Sequence, residues 1–121
     1  MEINIAVVLS VLMMMENGPA KYRPEYGRSC IRVNTLADYN DRHPEAKPVM
    51  PADLADEATE RMVATDILLR HAKRWQDRTR RPATAMDLAR CWKAGFSGAM
   101  AGGAMEYGGR FHKLYVEEVG R

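Results

Sequence analysis

Ile5-Ala-Val-Val-Leu-Ser-Val-Leu-Met-Met-Met15 is apolar at every position but Ser10, and it runs into Glu16-Asn17-Gly18-Pro19. A helix apolar on all faces belongs inside a protein. At about 1.5 Å per residue the run covers roughly 17 Å, short of the roughly 20 residues that cross a bilayer. It predicts a buried core helix over residues 2–16 and no membrane span. Glycine caps helix ends and proline cannot continue one, which sets the stop at Gly18-Pro19. Glu16 then occupies the last turn at the mouth of an apolar core. It loses hydration there and lies near the negative end of the helix dipole, and both disfavour a negative charge. A carboxyl so placed is a candidate general acid. The same position also suits a glutamate pointing into water at a frayed helix end.

A chain of 121 residues predicts one domain spanning 1–121, large enough to bury a core without disulfide or metal support. The apolar fraction of 46% fits a globular protein, and 28% charged residues argues against a membrane protein. A net charge of +2 is too small to imply nucleic acid. The basic residues cluster at Lys73, Arg74, Arg78, Arg80 and Arg81, which reads as a solvated helix end or as a patch for an anionic polymer. Cys30 and Cys91 suit either one bridge or two reduced core thiols. His43, His71 and His112 are scattered and no zinc-site spacing occurs, so neither a metal nor a cofactor is expected. Only Glu2 is charged ahead of the apolar run, and no basic segment or small-residue cleavage site accompanies it, so it does not read as a signal peptide.

Beyond the first helix, residues 17–27 read as a loop carrying Tyr22 and Tyr26. Ser29-Cys-Ile-Arg-Val33 alternates as a short strand would, and Leu36 with Tyr39 suggests a short helix over 34–40. Pro44 and Pro48 make 41–50 a loop. Pro51-Ala-Asp-Leu54 opens the longest helix, with Leu54, Ala58, Met62, Ile67, Leu68, His71 and Trp75 inward, Glu57, Glu60, Arg61, Arg70 and Arg74 outward, and an end near Arg78. Thr84-Ala-Met-Asp87 has a capping-box pattern and starts a helix that stops at Gly95. The glycine-rich 96–105 is either a flexible loop, the reading favoured by its composition, or a place of tight backbone contact. A terminal helix would turn Phe111, Leu114 and Tyr115 inward. The fold class is mainly α, a helical bundle around a buried N-terminal helix with at most a very short sheet.

The order of these segments resembles the lysozyme-like superfamily, and most the lytic transglycosylase and phage lysozyme branches. Four marks carry the resemblance. Met15-Glu16-Asn17 stands where those families place Glu-Ser at the end of a buried helix. Gly27-Arg-Ser-Cys-Ile-Arg-Val33 followed by Asp38-Tyr39-Asn40 resembles their Gly-x-x-Gln-Ile segment. Ala89-Arg-Cys-Trp-Lys-Ala-Gly95 resembles their Ala-x-x-Trp/Tyr-Asn-x-Gly helix end, and Tyr107-Gly-Gly-Arg-Phe111 their last helix. Arg32 in place of the family's Gln, Asn17 in place of its Ser and Lys93 in place of its Asn depart from the pattern, and Arg32 and Lys93 add positive charge.

The resemblance implies an α+β lysozyme-like domain that cleaves peptidoglycan in the bacterial cell envelope or from a phage virion, as an endolysin does. Glu16 would protonate the glycosidic oxygen while an oxocarbenium-like centre develops on the sugar. Tyr26, Arg32, Trp92 and Tyr107 would bind the glycan, although a core-packing role suits each aromatic equally well. No second carboxylate stands out, since Glu25 and Asp38 fit salt bridges or caps. That favours the transglycosylase reading, in which acetamido and hydroxyl groups of the substrate assist a single acid. The competing reading is an inactive lysozyme-like protein that binds glycan or forms part of a phage particle. A helical nucleic-acid binder using 73–81 ranks below both, since no recognition-helix pattern accompanies the charge.

Overall fold

The structure, a computed structural model, describes residues 3–16 and 31–120. It is mainly helical, with α1 at Ile5–Glu16, α2 at Val33–Arg42, a 3-10 turn at Pro51–Ala55, α3 at Glu57–Thr79, α4 at Ala85–Met100 and α5 at Met105–Val119. No strand occurs among the described residues, and none of their helices is long and apolar enough to cross a membrane. The chain divides into two compact units, Met1–Leu12 with Leu68–Arg121 and Met13–Ile67. Helices α1 and α3 each contribute residues to both.

Asn4 starts α1, its side-chain oxygen accepting from the Val7 amide at 3.2 Å. Burial is strongest in the middle of the helix, at Val8, Leu9, Val11, Leu12 and Met13. Not every face is covered, because Met14 is 56% exposed. Ser10, the one hydroxyl in the run, donates back to the Ala6 carbonyl at 3.0 Å and so adds no unpaired donor.

In the unit Met13–Ile67, the side chains of Ile31, Leu36, Tyr39, Leu54, Val63, Ala64 and Ile67 are buried. The strand expected over 29–33 does not form at its described end; its first two residues lie outside the described ones. Ile31 is buried, Arg32 holds the extended backbone of an N-cap (φ −77°, ψ 154°) and Val33 already belongs to α2. Apolar Leu36 and Tyr39, three apart, give α2 its inward face. The Asn40 amide then fastens the following loop, donating to the Val49 carbonyl and accepting from the Val49 amide, both at 2.9 Å.

Pro51 does not open the longest helix as expected. It starts the 3-10 turn, and the chain straightens at Asp56 (φ −79°, ψ 121°) before α3 begins. The cause is local: the Asp56 carboxylate accepts from both the amide (3.0 Å) and the hydroxyl (2.8 Å) of Thr59, an N-cap arrangement that requires a non-helical backbone. The inward stripe also differs. Ala58 and Met62 face outward, Met62 with 53% exposure, while Glu60, Val63, Ala64, Ile67 and Leu68 are buried. Adjacent Met62 and Val63 are both apolar, so periodicity alone does not choose between the two stripes.

In the other unit, α4 opens as the capping pattern predicts: Asp87 N donates to Thr84 Oγ1 at 3.1 Å and Thr84 N donates to the Asp87 carboxylate at 2.9 Å. Its regular run breaks at Gly95, whose φ of 79° and ψ of 165° only glycine adopts readily. One further helical stretch reaches Met100. The glycine-rich segment after it is a tight backbone contact rather than a flexible loop. Arg90, only 8% exposed, donates from Nη2 to the Ala99 carbonyl at 2.7 Å and from Nε to the Gly103 carbonyl at 3.0 Å. A Cβ at Gly103 would lie 2.8 Å from the Gly98 carbonyl oxygen, and one at Gly108 would lie 2.8 Å from Arg90 Cγ. Phe111 on α5 is fully buried and its ring stacks on Tyr115 at 5.5 Å, while Leu114 and Tyr115 are half-buried.

Cys91 is a free thiol, 1% exposed, and Cys30 lies outside the described residues. Burial pushes it up to about 11, the Asp87 carboxylate adding to the shift and Arg90 and Arg74 opposing it. In a Cys30→Ser background, Cys91 is expected to resist iodoacetamide near about pH 8 in the folded protein and to react once urea unfolds it. Stability drawn from this neutral thiol is complete below its ordinary value of 9.0 and falls as pH climbs toward about 11. Gly108→Ala is expected to lower unfolding free energy by about 1–3 kcal/mol in urea titration, because its new methyl meets an arginine stem already tied at both ends. A loss below about 0.5 kcal/mol would mean that Arg90 yields freely.

Candidate functional site

Glu16 is the last residue of α1 and is 7% exposed. It follows eleven residues of which only Ser10 is polar, so the sequence delivers one carboxyl at the end of an apolar rod. Glutamate is seldom so deeply buried without a specific reason. The frayed, solvated end that its position also allowed is not what forms. Glu60, 2% exposed, belongs to the same unit, Met13–Ile67. Its burial contradicts the outward placement expected from the pattern of α3.

Arg32 precedes α2 in that unit with an exposed side chain, available to an anionic ligand at the surface. Tyr26 and Asn17 lie outside the described residues. Asp38, weighed as a second carboxylate, is more than half exposed and paired with Arg42 at 3.1 Å. It serves as an i,i+4 salt-bridge residue on α2.

Trp92 and Tyr107 belong to the unit Met1–Leu12 with Leu68–Arg121. Trp92 is half-buried on α4. Tyr107 is 6% exposed, with Lys93 Nζ 5.4 Å and the Arg110 guanidinium 5.8 Å from its ring centroid. Cations at these distances are attracted by the ring quadrupole. Tyr107 therefore offers a ligand little open ring surface, and Lys93 is explained by contact with Tyr107. Among the described residues no cluster of three or more His, Cys, Asp or Glu side chains is arranged to hold a metal ion.

A second polar constellation has no local signature. Asp66 on α3 meets Arg42 Nη2 at 2.8 Å and His43 Nε2 at 2.9 Å, and the His43 ring packs on Tyr39 with centroids 4.4 Å apart. Arg42 also binds Asp38, and Glu45 stands 3.9 Å from His43 Nδ1. The partners are 23 and 24 residues apart, so no short motif predicts them. With Nε2 engaged and both side chains packed, the arrangement ties the end of α2 to α3. It is a positioning element.

The basic run ends as a solvated helix terminus: Lys73 pairs with Asp77 at 3.0 Å and Arg74 lies 4.3 Å over the Phe96 ring. No sequence pattern pointed to a cavity of about 700 Å³ in this same unit, lined by Trp75, Arg81, Thr84, Asp87 and Tyr115 together with Ile3, Pro82, Ala83 and Ala85.

Asp66→Ala would strand Arg42 and His43 without their shared carboxylate. It is expected to lower stability by about 1–2 kcal/mol in urea melts, since the three side chains are only partly exposed. An unchanged midpoint would show that the cluster is solvated and carries no structure. Compared with known proteins, the chain matches no family model, no curated protein and no solved structure.

Proposed function

We propose that the protein is a lysozyme-like enzyme that cleaves peptidoglycan glycan strands, with Glu16 as general acid and base. The observation that carries this reading is the burial of Glu16 at the end of α1. A carboxyl at the terminus of an apolar helix, only 7% exposed, is a group that can be held in place to exchange a proton with a bound substrate. The order of the four sequence marks supplies the substrate class.

In this reaction the Glu16 carboxyl donates its proton to the glycosidic oxygen, and the bond from that oxygen to the anomeric carbon breaks. One glycan fragment leaves with a hydroxyl, and positive charge develops at the anomeric carbon of the other. Hydrolysis then needs a water activated by a carboxylate. The single-acid route lets a hydroxyl of the substrate attack the same carbon, closing an anhydro ring and returning its proton to Glu16. Asp38 pairs with Arg42 at the surface, so the second route, a lytic transglycosylase, is the one we propose. Arg32, exposed beside α2 in the same unit as Glu16, suits the acidic groups of peptidoglycan.

Clearing of a purified peptidoglycan suspension tests the proposal. Wild type is expected to reduce turbidity, and Glu16→Gln to slow the loss by about 10²–10⁴-fold while melting at the same temperature. Products should end in anhydro sugars; reducing ends would replace transglycosylation by hydrolysis. Equal clearing by both proteins would remove Glu16 from the mechanism, and no clearing by either would leave an inactive glycan-binding or virion protein.

A further inference from the structure

The cavity of about 700 Å³ beside the start of α4 is of a size that holds a small ligand. Its walls come from four places in one compact unit: Ile3 ahead of α1, Trp75 of α3, the Arg81 to Thr84 link with the first turn of α4, and Tyr115 of α5. Several of the residues that line it carry polar groups with capacity to spare. The Arg81 guanidinium forms no ion pair among the described residues, and neither the Trp75 indole N–H nor the Tyr115 hydroxyl has a hydrogen-bond partner among them. Asp87 uses one carboxylate oxygen for the Thr84 amide, and its other has only Arg90 Nη1 at 3.9 Å.

The chemistry of these groups narrows the ligand. A free guanidinium favours a carboxylate, which it binds through two parallel N–H donors. Two aromatic side chains favour a flat or ring-shaped body, and Tyr115 is held in place by its stack on buried Phe111. Asp87 only accepts, so the ligand must bring hydroxyl or amide donors as well. A simple aromatic acid satisfies Arg81 and the rings but leaves Asp87 facing a hydrophobic edge. A sugar acid satisfies all of them.

We infer that this cavity is a non-catalytic binding site for a saccharide ring bearing a carboxylate. The choice of N-acetylmuramic acid as that saccharide rests on the glycan reading of Glu16, whereas the ring-and-carboxylate chemistry rests on the cavity alone. A site of this kind, built apart from the proposed acid, would hold a glycan strand by its acidic sugars.

The experiment uses the full chain carrying Glu16→Gln, so that nothing is turned over, and follows the Trp75 indole N–H by NMR, identified through its survival in Trp92→Phe. N-acetylmuramic acid, N-acetylglucosamine and benzoate are the probes. Saturable movement of the Trp75 signal is expected with N-acetylmuramic acid, and binding at least tenfold weaker with each of the other two. Arg81→Gln, an exposed position whose melting temperature should not change, is expected to weaken N-acetylmuramic acid at least tenfold and to leave N-acetylglucosamine as it was. A Trp75 signal that does not move overturns the inference. So does equal binding of the two amino sugars, which would show that Arg81 reads no carboxylate, or benzoate binding as tightly as N-acetylmuramic acid. Peptidoglycan clearing by wild type reports separately on Glu16: binding without clearing keeps the cavity site and removes the catalytic reading, and clearing without binding does the reverse.

Discussion

A helix of twelve residues with a single charged side chain has to be covered, and α1 imposes that requirement on the rest of the chain. Val8, Leu9, Val11, Leu12 and Met13 together lose almost all their exposure. At about 25 cal/mol per Å² of apolar surface, removing side chains of this size from water contributes about 1.5–3 kcal/mol each, before the entropy of ordering them is subtracted. The helix ends at its only charged residue, which is 7% exposed although Met14, two residues before it, is 56% exposed.

Where neighbouring residues alone decide a structure, the sequence was readable. The Thr84–Asp87 box, the break at Gly95 and the Leu36–Tyr39 face of α2 each depend on groups within four residues of one another or on one residue's backbone freedom. The start of α3 escaped because two local signals compete there. Proline at 51 suits a helix start, but the Asp56 side chain captures Thr59 and resets the beginning of the helix. The stripe on α3 escaped because Met62 and Val63 are adjacent and both apolar, and the stripe containing Val63 brings Glu60 inward with it.

The candidate site divides along the same line. Glu16 could be singled out as a candidate because an apolar run broken only by Ser10 leads directly to it. Asp66 with Arg42 and His43, and the free polar groups of the cavity near α4, are assembled from residues far apart in the chain and leave no local spacing to read. Composition misled at the glycine-rich segment. Small residues suit both a loose loop and close backbone approach, and a distant arginine decides between them.

Arg90 has one more consequence. To free the Ala99 and Gly103 carbonyls, the segment must strip a guanidinium from the interior, and the amides of Gly102 and Gly103 are themselves bonded to Ala99 and Gly98. These amides should therefore exchange with deuterium as slowly as those in the body of α4, through one shared opening event. A stretch that looks like a surface linker by composition would then behave as part of a single cooperative unit, with its solvent protection set by a side chain nine residues upstream of its first carbonyl.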